Sequence, residues 1–66
     1  MKLYRLLTGP DDASFCHRVS EALNHGWLLH GGPTLAAVAD GTVICGQAIY
    51  KEMDGTYSPE LKLSEQ

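Results

Sequence analysis

Residues 42–50 read Thr-Val-Ile-Cys-Gly-Gln-Ala-Ile-Tyr, and this stretch decides the fold. It is the longest run of the chain that lacks charge and proline and is also rich in β-branched residues, which favour extended backbone. Apolar side chains occupy both odd and even positions of the run, and a strand of that kind is usually covered on both faces. We therefore predict that it is the central strand of a small sheet.

A second strand is predicted just before it in the chain. The Asp40-Gly41 pair favours a tight hairpin turn into residues 42–50. Extended chain is predicted from Trp27 to His30 and again from Thr34 to Val38, with Gly31-Gly32-Pro33 interrupting it. Because proline cannot donate a hydrogen bond to a central ladder, this strand belongs at a sheet edge.

One helix is predicted from about Asp11 to Asn24 or His25. Its apolar side chains recur at helical spacing, at Phe15, Val19, Ala22 and Leu23. Thr8 and Asp11 have the spacing of a capping box, and Asp11 is itself the competing N-cap. Gly26 suits the left-handed position just past the C-terminus of a helix.

The order of elements predicts the topology. A first strand is expected from Lys2 to Leu7, which gives β-α-β-β. A helical crossover makes strands 1 and 2 parallel, and the hairpin makes strand 3 antiparallel to strand 2. We therefore expect an α+β fold: a single domain over residues 1–52, with a three-stranded sheet in the order 1-3-2 and one helix on one face. Residues 53–66 are expected to form a flexible, acidic C-terminal tail.

The charge pattern excludes several classes of partner. Residues 1–51 are balanced, so the net charge of -3 belongs to residues 52–66, where Lys62 is the one basic residue. Nucleic-acid binders cluster lysine and arginine, and this chain does not, so no nucleic-acid partner is expected. No apolar run approaches the ~18 residues that span a bilayer, and the N-terminus lacks the apolar core of a signal peptide. We expect a cytoplasmic protein with no membrane partner.

Several segments recur in order in a known family. They are Tyr-Arg-Leu-Leu-Thr-Gly-Pro-Asp-Asp (4–12), Phe-Cys-His-Arg-Val-Ser (15–20), Gly-Trp (26–27), Gly31, Pro-Thr-Leu (33–35) and Ile-Cys-Gly-Gln-Ala (44–48). In these segments the chain resembles a small bacterial family called domain of unknown function 1737, over roughly residues 1–51. The resemblance implies a single β-α-β-β domain, and it brings no activity, substrate or catalytic residue. The family pattern has a polar residue where this chain has Leu28.

Two patterns suggest ligand sites, and simple geometry argues against both. His17, Glu21 and His25 share one helix face, but His17 and His25 are ~12 Å apart along the axis at 1.5 Å per residue. Zinc ligands must converge within about 2.0–2.3 Å of one ion, so we expect a solvated face and no metal. A phosphate loop needs a following helix, which residues 31–34 lack, so they are interpreted as a bend at a sheet edge.

The cysteines and the central glycine are interpreted structurally. Cys16 and Cys45 are expected to be reduced and buried. Burial of Cys45 in the most apolar run should suppress its reactivity, so no catalytic residue, no cofactor and no enzymatic activity are assigned. Gly46 is expected to make room for close packing of the helix or of the Trp27 ring.

The apolar residues of the strands suggest how the protein works. On each strand, both the odd and the even positions carry apolar residues, and one helix covers only one face of the sheet. We expect a bare second face to exceed the few hundred Å² of contiguous apolar surface usual for a monomer. We therefore predict a small structural or protein-interaction module that self-associates as a homodimer or docks on a larger protein partner. The candidate interaction surface is Leu3, Leu7, Leu28, Val43 and Ile49.

Other arrangements stay open at this point. Two sheets packed face to face about a twofold axis are the expected dimer, and edge-to-edge pairing through strand 1 is the alternative. In the alternative to a dimer, Tyr57, Leu61 and Leu63 of the tail fold back over the bare face and the protein stays monomeric. The alternative function is a small-molecule- or metal-binding protein, or a minor enzyme, that uses Cys45 or the histidines.

Overall fold

The computed structural model describes all of residues 1–66. Its elements are strand β1 (Lys2–Pro10), helix α1 (Ala13–Asn24), strand β2 (Leu28–Ala37), strand β3 (Val43–Glu52) and a short 3-10 helix (Leu63–Glu65). The strands form one sheet in the order β1-β3-β2, and β3 is antiparallel to both neighbours. The predicted α+β fold, element order and sheet order are confirmed.

Strand β1 continues past the predicted end at Leu7, because β3 is long enough to pair with it as far as Pro10. The Asp11 N–H donates to the Val43 carbonyl at 3.1 Å, so odd positions of β1 direct their backbone groups toward β3. Pro10 occupies an even position and faces the free edge. Its missing N–H therefore costs no ladder bond.

The N-cap of the helix lies one residue later than expected, and the helix begins at Ala13. Asp12 is the N-cap, and its carboxylate accepts from the N–H groups of Ser14 at 2.9 Å and Phe15 at 3.4 Å. The predicted capping box between Thr8 and Asp11 is wrong, because Thr8 lies in β1. The hydrogen bond from the Ser14 hydroxyl, with those from the two N–H groups, lowers the pKa of Asp12.

The C-terminus of the helix forms a Schellman motif. Gly26 has φ +95°, and its N–H donates to the Leu23 carbonyl at 3.2 Å. The Trp27 N–H donates to the Ala22 carbonyl at 3.1 Å, which turns the indole into the core. The predicted role of Gly26 is confirmed.

A bulge divides β2 where Gly31-Gly32-Pro33 was expected to interrupt it. Three residues of β2 lie opposite the single residue Gln47 of β3. The Gln47 Nε2 group donates to the carbonyls of Gly31 at 3.2 Å and His30 at 3.5 Å. Gln47 is buried, so its amide holds carbonyl groups that the bulge removes from the ladder.

The core lies between the sheet and the helix. Its buried side chains are Leu3, Leu7, Phe15, Ala22, Trp27, Cys45 and Ile49. The helix contacts mainly β1, so the predicted helical stripe is buried at Phe15 and Ala22 while Leu23 stays exposed. Because the helix is displaced toward β1, every residue of β2 is exposed.

Gly46 does make room for close packing, but its neighbours differ from those expected. A Cβ atom there would lie 3.1 Å from Thr34 Oγ1 and 3.6 Å from Thr8 Cγ2. Both threonines project on the face opposite the helix, so neither the helix nor Trp27 is the neighbour. The cross-strand register of Gly46 with these two residues explains the difference.

Residues 53–66 are placed along the helix side of the sheet. The Met1 amino group donates to the carbonyls of Met53 and Gly55, and Leu61 and Leu63 pack against the core. The flexibility of this segment in solution stays a prediction.

Candidate functional site

The sheet has one face that nothing in the chain covers. Leu7 and Ile49 project toward the helix, and alternate residues project the other way. Lys2 and Glu52 at one end of this second side, and Pro10 at the other, have the same parity. We call the part between them the open face; it consists of Tyr4, Leu6, Thr8, Leu28, His30, Thr34, Ala36, Ile44, Gly46, Ala48 and Tyr50. None of these residues is an acid, a lysine or an arginine.

Large apolar side chains dominate the open face. Their exposed fractions are 57% for Tyr4, 57% for Leu6, 53% for Leu28, 41% for Tyr50 and 38% for Ile44. Isolated exposed hydrophobic residues are normal on a protein surface, but here Tyr4, Tyr50 and Leu28 are cross-strand partners and Leu6 lies in the next row. This end of the open face is therefore a continuous apolar surface, and the row of Thr8, Gly46 and Thr34 separates it from Ile44.

Contacts within the open face fix its shape. The rings of His30 and Tyr50 meet edge to face with centroids 6.1 Å apart. At the middle, the Thr34 hydroxyl donates to the Gly46 carbonyl at 3.4 Å, and Gly46 carries no side chain of its own. The central part of the face is consequently shallow, with larger residues toward its rim.

The candidate interaction surface predicted from sequence needs correction. Leu3, Leu7 and Ile49 lie in the core, so they offer no surface to a partner. Leu28 belongs to the open face. Val43 is partly exposed, but it shares the helix side with Cys45.

Sequence reasoning missed Tyr4, Leu6, Ile44 and Tyr50, which belong to the other parity of the same strands. The sequence shows that alternate residues of each strand project to opposite faces, but it does not show whether the odd or the even positions face the helix. Charge gave no useful signal either, because Arg5, the charged residue in the middle of β1, lies on the helix side and not on the open face.

The two sheet edges differ in how they are covered. Arg18 Nη1 donates to the Thr8 carbonyl at 2.7 Å, at the free edge of β1, and the 3-10 helix lies beside the same strand. Arg18 thus occupies one carbonyl group of this edge, and edge-to-edge pairing through strand 1 stays an alternative. No residue in β2 is buried, and none between Trp27 and Ala39 is charged.

The tail does not cover the open face. Leu61 and Leu63 pack on the core, which is on the helix side. Tyr57 is 57% exposed. The alternative in which these residues cover the bare face is not the arrangement observed.

The two cysteines differ in exposure. Cys45 is buried as predicted, and its Sγ lies 3.4 Å from the Gly9 carbonyl and 3.6 Å from the Pro10 carbonyl. Burial raises the pKa of the Cys45 thiol, with a smaller contribution from the Asp11 carboxylate, which favours the unreactive protonated form. Cys16 is exposed, contrary to expectation, because it lies off the buried helix stripe.

The remaining ligand candidates are not brought together. His17 and His25 stay on the exposed side of the helix, and His30 is on the open face. No group of three or more His, Cys, Asp or Glu residues is arranged to hold a metal ion. No helix is long and apolar enough to cross a membrane.

Comparisons with known proteins identify a family without an assigned activity. A family model described as Domain of unknown function (DUF1737) matches residues 1–52. No curated protein and no solved structure matches the chain. The match ends at Glu52, the last residue of β3, so it includes the whole sheet and the helix.

Proposed function

The chain belongs to the family described as Domain of unknown function (DUF1737), and from that premise we propose that it is a protein-interaction module that forms a homodimer through its open face. The observation that carries the proposal is the group of five large apolar side chains on that face, each 38–57% exposed. An uncharged apolar sheet face of this kind is typical of an interface rather than of a solvated surface.

The exposed area of the chain supports the proposal. The isolated chain exposes 4764 Å². A compact monomer of 7.2 kDa is expected to expose about 4,100 Å². The excess of about 600 Å² is close to the ~800 Å² that each partner contributes to a standard interface.

Stability supports it as well. A single core in a chain of this size supplies at most about 3–5 kcal/mol. Both cysteines are free, so no disulfide adds to that value. Burying Tyr4, Leu6, Leu28, Ile44 and Tyr50 against a second copy would remove further apolar area from water, at ~25 cal/mol per Å².

The twofold arrangement fits the shape and charge of the open face. Two sheets pack about 10 Å apart, and a shallow centre at Gly46 permits that approach. In a twofold dimer, a residue on the axis contacts the same residue of the second copy, so a charged residue there would face a like charge. Lys2 and Glu52, the charged residues on this side, lie opposite each other at one end of the sheet.

The proposal predicts a concentration-dependent dimer. Sedimentation equilibrium at ~100 μM should give twice the chain mass of 7.2 kDa, since that concentration exceeds a micromolar dissociation constant. A chain limited to residues 1–52 should dimerise equally well, because the tail lies on the helix side. A mass of 7.2 kDa at ~100 μM would refute the dimer.

A further inference from the structure

A cleft lies on the helix side, away from the open face. Its volume is about 640 Å³, which is within the range of small-molecule sites. Helix α1 forms one wall with Arg18, Glu21 and His25, and Arg5 of β1 lies across from them. Residues 64–66 line the outer side.

Arg5 has an unusual environment in this cleft. Its guanidinium carbon lies 5.6 Å from the centroid of the buried Trp27 ring, and the residue is half-buried. The ion pairs of the chain join the Met1 amino group to Glu52 and Lys62 to Glu65, so Arg5 has no carboxylate partner. No hydrogen bond within the chain uses the Arg5 guanidinium, and its nitrogen atoms are not sealed from solvent, so its N–H groups are free to bind a ligand.

Of the neighbouring cations, Arg18 donates from Nη1 to the Thr8 carbonyl and forms no ion pair. The Lys51 ammonium lies 5.7 Å from the Trp27 ring and donates to the His25 carbonyl and to Gln66, the last residue, whose main-chain oxygens form the α-carboxylate. Glu21 and Glu65 also line the cleft, but neither forms an ion pair with Arg5 or Arg18.

The contact between Arg5 and Trp27 does not account for the unmet donors. A cation–π contact uses the face of the ring and stabilises the positive charge. The N–H donors of a guanidinium lie in its own plane and remain available for a planar acceptor. Carboxylate and phosphate groups match this fork with two parallel hydrogen bonds.

We propose that this cleft binds a small organic anion through a carboxylate or phosphate group, held by the Arg5 guanidinium with Arg18 as the second cation. The cleft is open to solvent, and α1 and residues 64–66 both line it. The site is independent of the open face, because the two lie on opposite sides of the sheet. Whether an anion binds in the cleft therefore has no bearing on the dimer proposal.

Trp27 supplies the assay, since it is the only tryptophan in the chain and its ring contacts Arg5. Its fluorescence and its indole N–H resonance are followed during titration of the full chain with phosphate, glycerol phosphate, succinate and citrate. Ionic strength is held constant with sodium chloride, which is also titrated alone. We expect saturable changes with the oxyanions and none with chloride. Tighter binding of glycerol phosphate assigns a phosphate ligand, and tighter binding of citrate assigns a carboxylate ligand.

Charge-matched variants locate the site. Arg5→Met should weaken binding at least ~10-fold because it removes the bidentate fork, and Arg5→Lys should give an intermediate loss. Arg18→Met, on an exposed side chain that leaves the core intact, should weaken binding by about 3–10-fold. Lys2→Met removes an equal charge outside the cleft and should leave the affinity within about twofold.

Three results would overturn the proposal. They are a signal that rises without saturation, an equal response to chloride, and equal weakening by Lys2→Met and Arg18→Met. The last result would show that anions respond to net charge rather than to the cleft.

Discussion

Replacement of Ile49 by alanine is expected to unfold most of the monomeric chain. Ile49 is the one large side chain that is fully buried, in the middle of β3 between β1 and β2. Such a truncation costs about 2–5 kcal/mol, which is the size of the whole stability expected from a single small core. Urea denaturation followed by Trp27 fluorescence and circular dichroism measures the loss.

Ile44→Ala is the matched control for this change. It removes the same atoms from the same strand, but Ile44 is 38% exposed on the open face. Its effect on the monomer should stay below about 1 kcal/mol. The two variants are compared at a dilution where light scattering reports monomer. A smaller loss for Ile49→Ala than for Ile44→Ala would contradict the position assigned to the core.

Leu6→Glu is expected to convert the dimer into a monomer. Leu6 is 57% exposed and lies on the open face opposite Ala48. In a face-to-face dimer a carboxylate at this position would be desolvated without a partner. The dissociation constant should rise at least ~100-fold, which is about 2.7 kcal/mol. Size-exclusion chromatography with light scattering over a dilution series measures the change.

Leu35→Glu makes the same chemical change on the other side of the sheet. Leu35 is 67% exposed and shares the helix side with Cys45. The dimer should keep its mass in this variant. If Leu35→Glu dissociated the dimer and Leu6→Glu did not, the interface would lie on the helix side of β2 and the proposal would be wrong.

The topology was predictable because each step rested on local chemistry. Pro33 excludes β2 from the centre of the sheet, and Asp40-Gly41 joins β2 to β3 as a hairpin. The Thr42 N–H and hydroxyl both donate to the Asp40 carboxylate, at 3.0 and 2.8 Å, which fixes the turn and lowers the pKa of Asp40. With the helical crossover, these features leave the order β1-β3-β2.

The interaction surface was not predictable to the same degree. Leu3 and Leu7 are as apolar as Tyr4 and Leu6, so composition does not decide which set the helix covers. The choice depends on where α1 packs, and it packs over β1. That displacement also leaves Leu23 exposed, which helical periodicity alone does not reveal.

The roles of Gly46 and Gln47 depend on contacts distant in sequence. Gly46 is crowded by Thr8 and Thr34, which become neighbours only through the strand register. Gln47 faces the β2 bulge for the same reason. The cleft at Arg5 likewise joins β1 to residues of α1 and to residues 64–66.

Self-association through the open face is tested most directly by isotope-filtered nuclear Overhauser spectroscopy. The sample mixes uniformly ¹³C-labelled and unlabelled chains, so only contacts between different copies are detected. The account predicts intermolecular contacts from the methyl groups of Leu6 and Leu28 to the rings of Tyr4 and Tyr50. Intermolecular contacts that come only from Leu35 or from α1, with none from the open face, would contradict it.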